Sequence, residues 1–186
     1  EADIKGFFNN VSHEWMMKFL EHRITDSKLL RIIHRFLKGG VMEDGVVHAS
    51  DEGTPQGGLV SPVLANIYLH YVLDLWFEKR FAEQCRGKAY LVRYADDFVA
   101  CFQLKEDADR YMAALVERLA SFSLEIEPTK TQLLRFGSHA AVMCKKEGLA
   151  KPATFNFLGI THFVTRGRKG GFLVGRQTER KRVRRT

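Results

Sequence analysis

No run of about 18 or more apolar residues occurs, so no membrane-spanning helix is expected. Cysteine is scarce and odd in number. Cys85, Cys101 and Cys144 lie far apart, form no C-x-x-C pair and have no histidine at ligand spacing. Reduced thiols in a reducing compartment follow, with the cytoplasm as the expected location. Internal repeats and low-complexity tracts are missing too. So are an initiator Met and a signal peptide, and Glu1-Ala2-Asp3-Ile4 already reads like the inside of a strand. The sequence is therefore expected to be a piece of a longer protein.

What is there suits a globular chain. With 186 residues, 45% apolar and 27% charged, it has the length of one domain and part of a second. It has enough apolar surface for a real core, which excludes disorder, collagen and a small disulfide scaffold. The net charge of +7 is unevenly placed. From Arg166 onward there are nine Lys/Arg against one acid, while residues 1–165 hold 20 basic and 21 acidic side chains. A near-neutral body with a basic tail points to a polyanion held at one end, nucleic acid above all.

Hydrophobic spacing gives the expected elements. Asp3 to Phe8 reads as a short strand ending at an Asn9-Asn10 turn. Two helices fill Ser12 to Lys38, the second capped near Thr25-Asp26. Residues 41–52 read as a hairpin turning at Glu43-Asp44-Gly45. Ser61 is an expected N-cap, with Pro62 opening a helix. Tyr90 to Phe102 reads as two strands with Asp96-Asp97 at the turn. A helix follows from about Ala108 to Phe122, then a strand over Thr131–Phe136 and a polar loop over 137–154. Phe155–Val164 and Gly171–Val174 read as a hairpin, and a basic helix is expected from about Gln177. With residues 9–58 set aside, the order is β-α-β-β-α-β. That is the α+β, ferredoxin-like split βαβ layout, with a mostly antiparallel sheet and helices on one face.

Asp96-Asp97 is an anomaly. Adjacent carboxylates between Tyr94-Ala95 and Phe98-Val99 repel each other, and each is costly to desolvate. Such a turn ordinarily uses Asn-Gly or Asp-Gly. A solvated turn and a functional pair both remain open on this ground alone. Asp3, on the strand that opens the same unit, would converge with them at one sheet edge. Three converging carboxylates suit Mg²⁺, and two such ions suit phosphoryl transfer.

Tyr94-Ala95-Asp96-Asp97 resembles the Y-x-D-D motif of reverse transcriptases. Asp3-Ile4-Lys5-Gly6-Phe7-Phe8 resembles their first catalytic motif, and Gly53-Thr54-Pro55-Gln56-Gly57-Gly58 with Ser61-Pro62 their nucleotide-contacting loop. Pro128-Thr129-Lys130-Thr131 and Phe157-Leu158-Gly159 are similar to their two later palm motifs. The wording is nearest to bacterial group II intron-encoded reverse transcriptase/maturases.

That resemblance implies the palm of a right-hand polymerase over residues 1–175, with 176–186 as the start of a basic thumb or maturase helix. It implies Asp3, Asp96 and Asp97 as ligands of two Mg²⁺ ions, and Lys130 as a proton donor to the leaving pyrophosphate. Phe8 would be a gate against the ribose 2′-hydroxyl, and Gln56 and Gly57 would meet the incoming dNTP. Phe157, Leu158 and Gly159 would grip the primer. Arg176, Arg180, Lys181, Arg182, Arg184 and Arg185 would bind nucleic acid. The implied partners are an RNA template, a DNA primer, dNTPs and intron RNA, with no membrane. Two alternatives stand beside this reading: an RNA-binding splicing cofactor, and a reverse transcriptase of retron, diversity-generating or CRISPR-associated type. One departure is Asn9, where the family often has Asp.

Overall fold

In the computed structural model, the described residues are 2–39, 41–43, 46–48, 53 and 60–179, with backbone alone for 41–43 and 46–48. The expected contacts of Gln56, Gly57, Arg180, Lys181, Arg182, Arg184 and Arg185 lie outside them. The chain divides into two compact units, Ala2–Thr129 and Lys130–Thr186.

The first unit begins with a very short strand. Ala2 bridges Phe98 and Ile4 bridges Ile126, both antiparallel. The expected strand to Phe8 ends early because Gly6 turns the chain at φ +53 and Phe7–Asn9 form a 3-10 turn. Helix α1 (His13–Glu21) is capped by Ser12, and α2 (Ser27–Lys38) by Asp26, whose carboxylate accepts from the Lys28 and Leu29 amides. Strands β1 (Val41–Glu43) and β2 (Val46–His48) form the expected hairpin. Helix α3 (Ser61–Leu69) starts one residue early, with Val60 at the cap and Ser61 already helical.

Beyond α3 the chain continues through two wide π-type turns, His70–Asp74 and Phe77–Phe81. Arg118 donates to the carbonyls of Val72 and Tyr71 at 2.9 and 3.1 Å. Strands β3 (Ala89–Tyr94) and β4 (Asp97–Phe102) pair antiparallel. Helix α4 (Lys105–Ala120) leads to Leu124 and Ile126.

The fourth strand of the split βαβ unit is therefore the segment around Ile126, not Thr131–Phe136. The Lys5 amide bonds the Glu125 carbonyl and the Glu127 amide bonds the Asp3 carbonyl, both at 2.9 Å. The spatial order is Ile126, Ala2–Ile4, β4, β3, which is that of the split βαβ fold.

One sheet face carries the core. Ala89, Leu91, Ala100 and Phe102 pack with buried Phe98 against Tyr68, Leu69, Leu73, Phe77, Tyr111 and Leu115 of the helices. The alternate residues Tyr90, Val92 and Tyr94 are 54–66% exposed, so the helices cover one face only. Period-two alternation in β3 and β4 sets this division.

The second unit holds α5 (Ala140–Lys146) where a loop was expected. It also holds a three-stranded antiparallel sheet of β5 (Phe155–Phe157), β6 (Ile160–Arg166) and β7 (Phe172–Thr178). Phe155–Val164 is thus broken at Leu158-Gly159. Gln177 and Thr178, where a basic helix was expected to begin, are instead the end of β7, because Ile160–Arg166 extends the ladder to Thr178; the rest of that expected helix lies outside the described residues. Among the described residues, no helix is long and apolar enough to cross a membrane.

Candidate active site

The Ala2–Phe98 bridge fixes a register. One step along the two antiparallel strands, Asp3 lies opposite Asp97. Their neighbours Ala2, Ile4 and Phe98 point into the core, so both acids stand on the face turned away from the helices. Directly opposed side chains on a sheet have Cβ atoms about 5 Å apart, and like charges there are destabilising unless a cation compensates.

Asp96 is next to them in the turn. Tyr94 pairs with Asp97, leaving Ala95-Asp96 as a two-residue loop. Ala95 has φ +54, a left-handed conformation uncommon for a residue with a Cβ. The hairpin thus holds a strained Ala beside the two acids rather than the usual Asn-Gly. Strain of this kind persists only where the surroundings over-determine it.

The surroundings are visible. Arg93 donates through Nε and Nη2 to the two oxygens of Asp74, at 2.7 and 2.6 Å. Its Nη1 donates to the Ala95 carbonyl at 2.7 Å and to Asn66 Oδ1 at 2.9 Å. The Arg93 side chain is 11% exposed, so these bonds form largely out of water. One planar guanidinium thereby ties the acid-bearing turn to the long helical segment behind the sheet. Sequence reading missed Arg93, Asp74 and Asn66 as site residues. The available signal was a lone Arg inside an apolar strand, three residues before Asp96.

The other expected residues are placed as follows. Phe8 is half-buried in the 3-10 turn, with its ring edge-on to Phe7 at 5.3 Å between centroids. Lys130 is exposed in a turn at the start of the second unit. Phe157 and Ile160 close a two-residue turn in which Leu158 (φ +52) and Gly159 (φ +75) are both left-handed. Arg176 is exposed on β7.

The metal question turns on donor chemistry. Among the described residues, no group of three His, Cys, Asp or Glu side chains stands ready to hold an ion by itself. Mg²⁺ does not need one, since it is ordinarily held by one or two carboxylates plus substrate phosphates and waters. Oxygen donors from Asp3 and Asp97 on one face suit that pattern.

The family model described as reverse transcriptase (RNA-dependent DNA polymerase) matches residues 1–162. The chain is 47% identical over 79 residues to the group II intron-encoded protein LtrA of Lactococcus lactis subsp. cremoris, covering 40% of this chain and 13% of that protein. It is 32% identical over 124 residues to protein YkfC of Escherichia coli, covering 53% and 32%. It is 37% identical over 83 residues to an uncharacterized 91 kDa protein in the cob intron of Schizosaccharomyces pombe, covering 45% and 10%. The chain therefore spans less than two thirds of each of these relatives.

Proposed function

The chain belongs to the reverse transcriptase (RNA-dependent DNA polymerase) family, and on that premise we propose that it carries the catalytic palm of a template-directed DNA polymerase from a group II intron-encoded protein. The observation that carries the reading is the register that sets Asp3 across from Asp97, with Asp96 in the adjoining turn.

Asp3, Asp96 and Asp97 would hold two Mg²⁺ ions. When bound, these supply charge neutralisation for the triphosphate and acidify the attacking hydroxyl. The primer 3′-oxygen forms a bond to the α-phosphorus of a dNTP, and the bond to pyrophosphate breaks. Lys130 gives a proton to that leaving group. Phe8 crowds the sugar 2′ position and so excludes ribonucleotides. Gln56 and Gly57 meet the incoming nucleotide, and Phe157, Leu158 and Gly159 hold the primer end. The protein's share is mostly orientation and electrostatic preorganisation.

Arg176, with Arg180, Lys181, Arg182, Arg184 and Arg185, grips RNA or primer–template through phosphates. The thumb would begin in this tail past the end of β7 at Thr178, following the palm. The three cysteines are free, which suits a reducing cytoplasm. The intron-encoded relatives favour intron RNA as a partner over retron-like employment.

The deciding experiment is RNA-templated primer extension by the intact polypeptide with dNTPs and Mg²⁺. Extension by the parent, abolished by Asp96→Asn, is the expected result. RNA binding without extension by either would instead favour a splicing cofactor with relict acids.

A further inference from the structure

Gly53 is held against the chain on three sides. Its amide donates to the Val11 carbonyl at 2.8 Å. Its carbonyl accepts from His13 Nε2 at 2.5 Å. The place a side chain would take is filled by main chain: a Cβ would stand 2.8 Å from the Phe8 oxygen and 2.9 Å from the Asn9 oxygen. With φ +85 as well, glycine alone fits.

His13 is 7% exposed. A carbonyl only accepts, so Nε2 carries the proton. Nδ1 is buried with no hydrogen-bond partner among the described residues. A buried ring that leaves one nitrogen unsatisfied is a poor choice for stability, since an apolar residue would fill the space without that desolvation cost. What His13 does provide is one directed bond across 40 residues of sequence, to a residue lying against the Phe8 backbone.

We propose that His13 is a positioning residue for sugar selection. Its bond to the Gly53 carbonyl latches that residue against the Phe8–Asn9 backbone, so the turn that carries the gate ring keeps a fixed position. The proposal rests on the gate reading of Phe8 given above. Discrimination by a steric gate depends on sub-ångström placement, which makes it more sensitive to a loosened latch than overall folding is.

The test measures kcat/KM for deoxy- over ribonucleotides during RNA-templated extension by the intact polypeptide. His13→Gln places an amide nitrogen near the Nε2 position, whereas the shorter amide of His13→Asn reaches only the Nδ1 position. Loss of the directed bond is expected to cut the ratio about tenfold in His13→Asn. His13→Gln should keep it within about twofold. An unchanged ratio in His13→Asn overturns the latch, as does an equal loss in both variants. Phe8→Ala is the control. If it lowers the ratio while His13→Asn does not, the latch alone fails. If Phe8→Ala leaves the ratio unchanged, the gate reading fails and the latch with it.

Discussion

The Arg93 guanidinium donates to the Ala95 carbonyl at 2.7 Å while its other edge is forked onto Asp74. The bond holds a left-handed alanine immediately before two acids whose positions matter most for the proposed chemistry. Replacing Arg93 by Ala leaves the Asp74 carboxylate, the Asn66 amide oxygen and the Ala95 carbonyl without this donor. The expected loss is about 2 kcal/mol of stability, read by denaturant titration. Arg93→Lys should recover only part of it, because a lysine cannot make the planar two-point contact. Full stability in Arg93→Ala would mean that the turn is held by other contacts.

Asp96→Asn removes a charge and keeps the shape. In the intact polypeptide, extension should fall by several orders of magnitude, while thermal stability stays level or rises as repulsion beside Asp97 is relieved. Asp3→Asn should behave alike, since its carboxylate faces Asp97 across the register. Wild-type extension by either variant, measured under saturating Mg²⁺, would remove that residue from the site.

Much of this was legible in the sequence, and the failures have local causes. Asp26 announced a cap because its chemistry is carried by a single residue. Asp3 and Asp96-Asp97 stood out because charge inside apolar strands is rare. Thr131–Phe136 looked like a strand by alternation, but Ile126, only three residues after Ser123 (φ +59), already fills the position beside Ile4. Gln177 and Thr178 looked helical by charge density, but the ladder partners Thr161 and Ile160 hold them in β7. Arg93 and His13 could not be assigned from sequence. Their hydrogen-bond partners lie 19 and 40 residues away, and only the fold brings them near.

Phe8→Ala should admit ribonucleotides. Phe8 is half-buried beside Phe7, so truncation also forfeits some packing, about 1–2 kcal/mol at partial exposure. The two effects separate cleanly. Packing loss lowers the unfolding midpoint for all substrates alike, whereas gate loss changes only the ribo-to-deoxy incorporation ratio. A lowered midpoint with an unchanged ratio would return Phe8 to the core alone.

Asp107 is 1% exposed, with the Gly87 and Arg86 amides at 3.0 and 3.3 Å and Arg110 at 3.1 Å. These contacts hold its carboxyl below the usual range, the Gly87 amide most of all. A depressed folded pKa means the stabilisation is complete above the unfolded value, near pH 4, and fades as pH falls through the folded one. Melting temperature should therefore drop on acidification in the parent. Asp107→Asn should be less stable at neutral pH and show a flatter acid limb. Parallel curves would show that other carboxylates set the acid response.

Leu158 is the odd member of its turn. With Gly159 it closes β5 onto β6 with two left-handed residues, a geometry that ordinarily selects Asn-Gly. A leucine there costs about 1–2 kcal/mol in backbone strain, yet its side chain is 42% exposed and gains little from burial. Such a choice is poor for folding and fits a residue kept for what it touches. Leu158→Asn should therefore raise stability by about 1 kcal/mol while weakening primer–template affinity, measured by the concentration dependence of extension. A variant that is both more stable and equally tight would show that the apolar side chain plays no part in holding the primer, leaving the turn as a structural link between two strands.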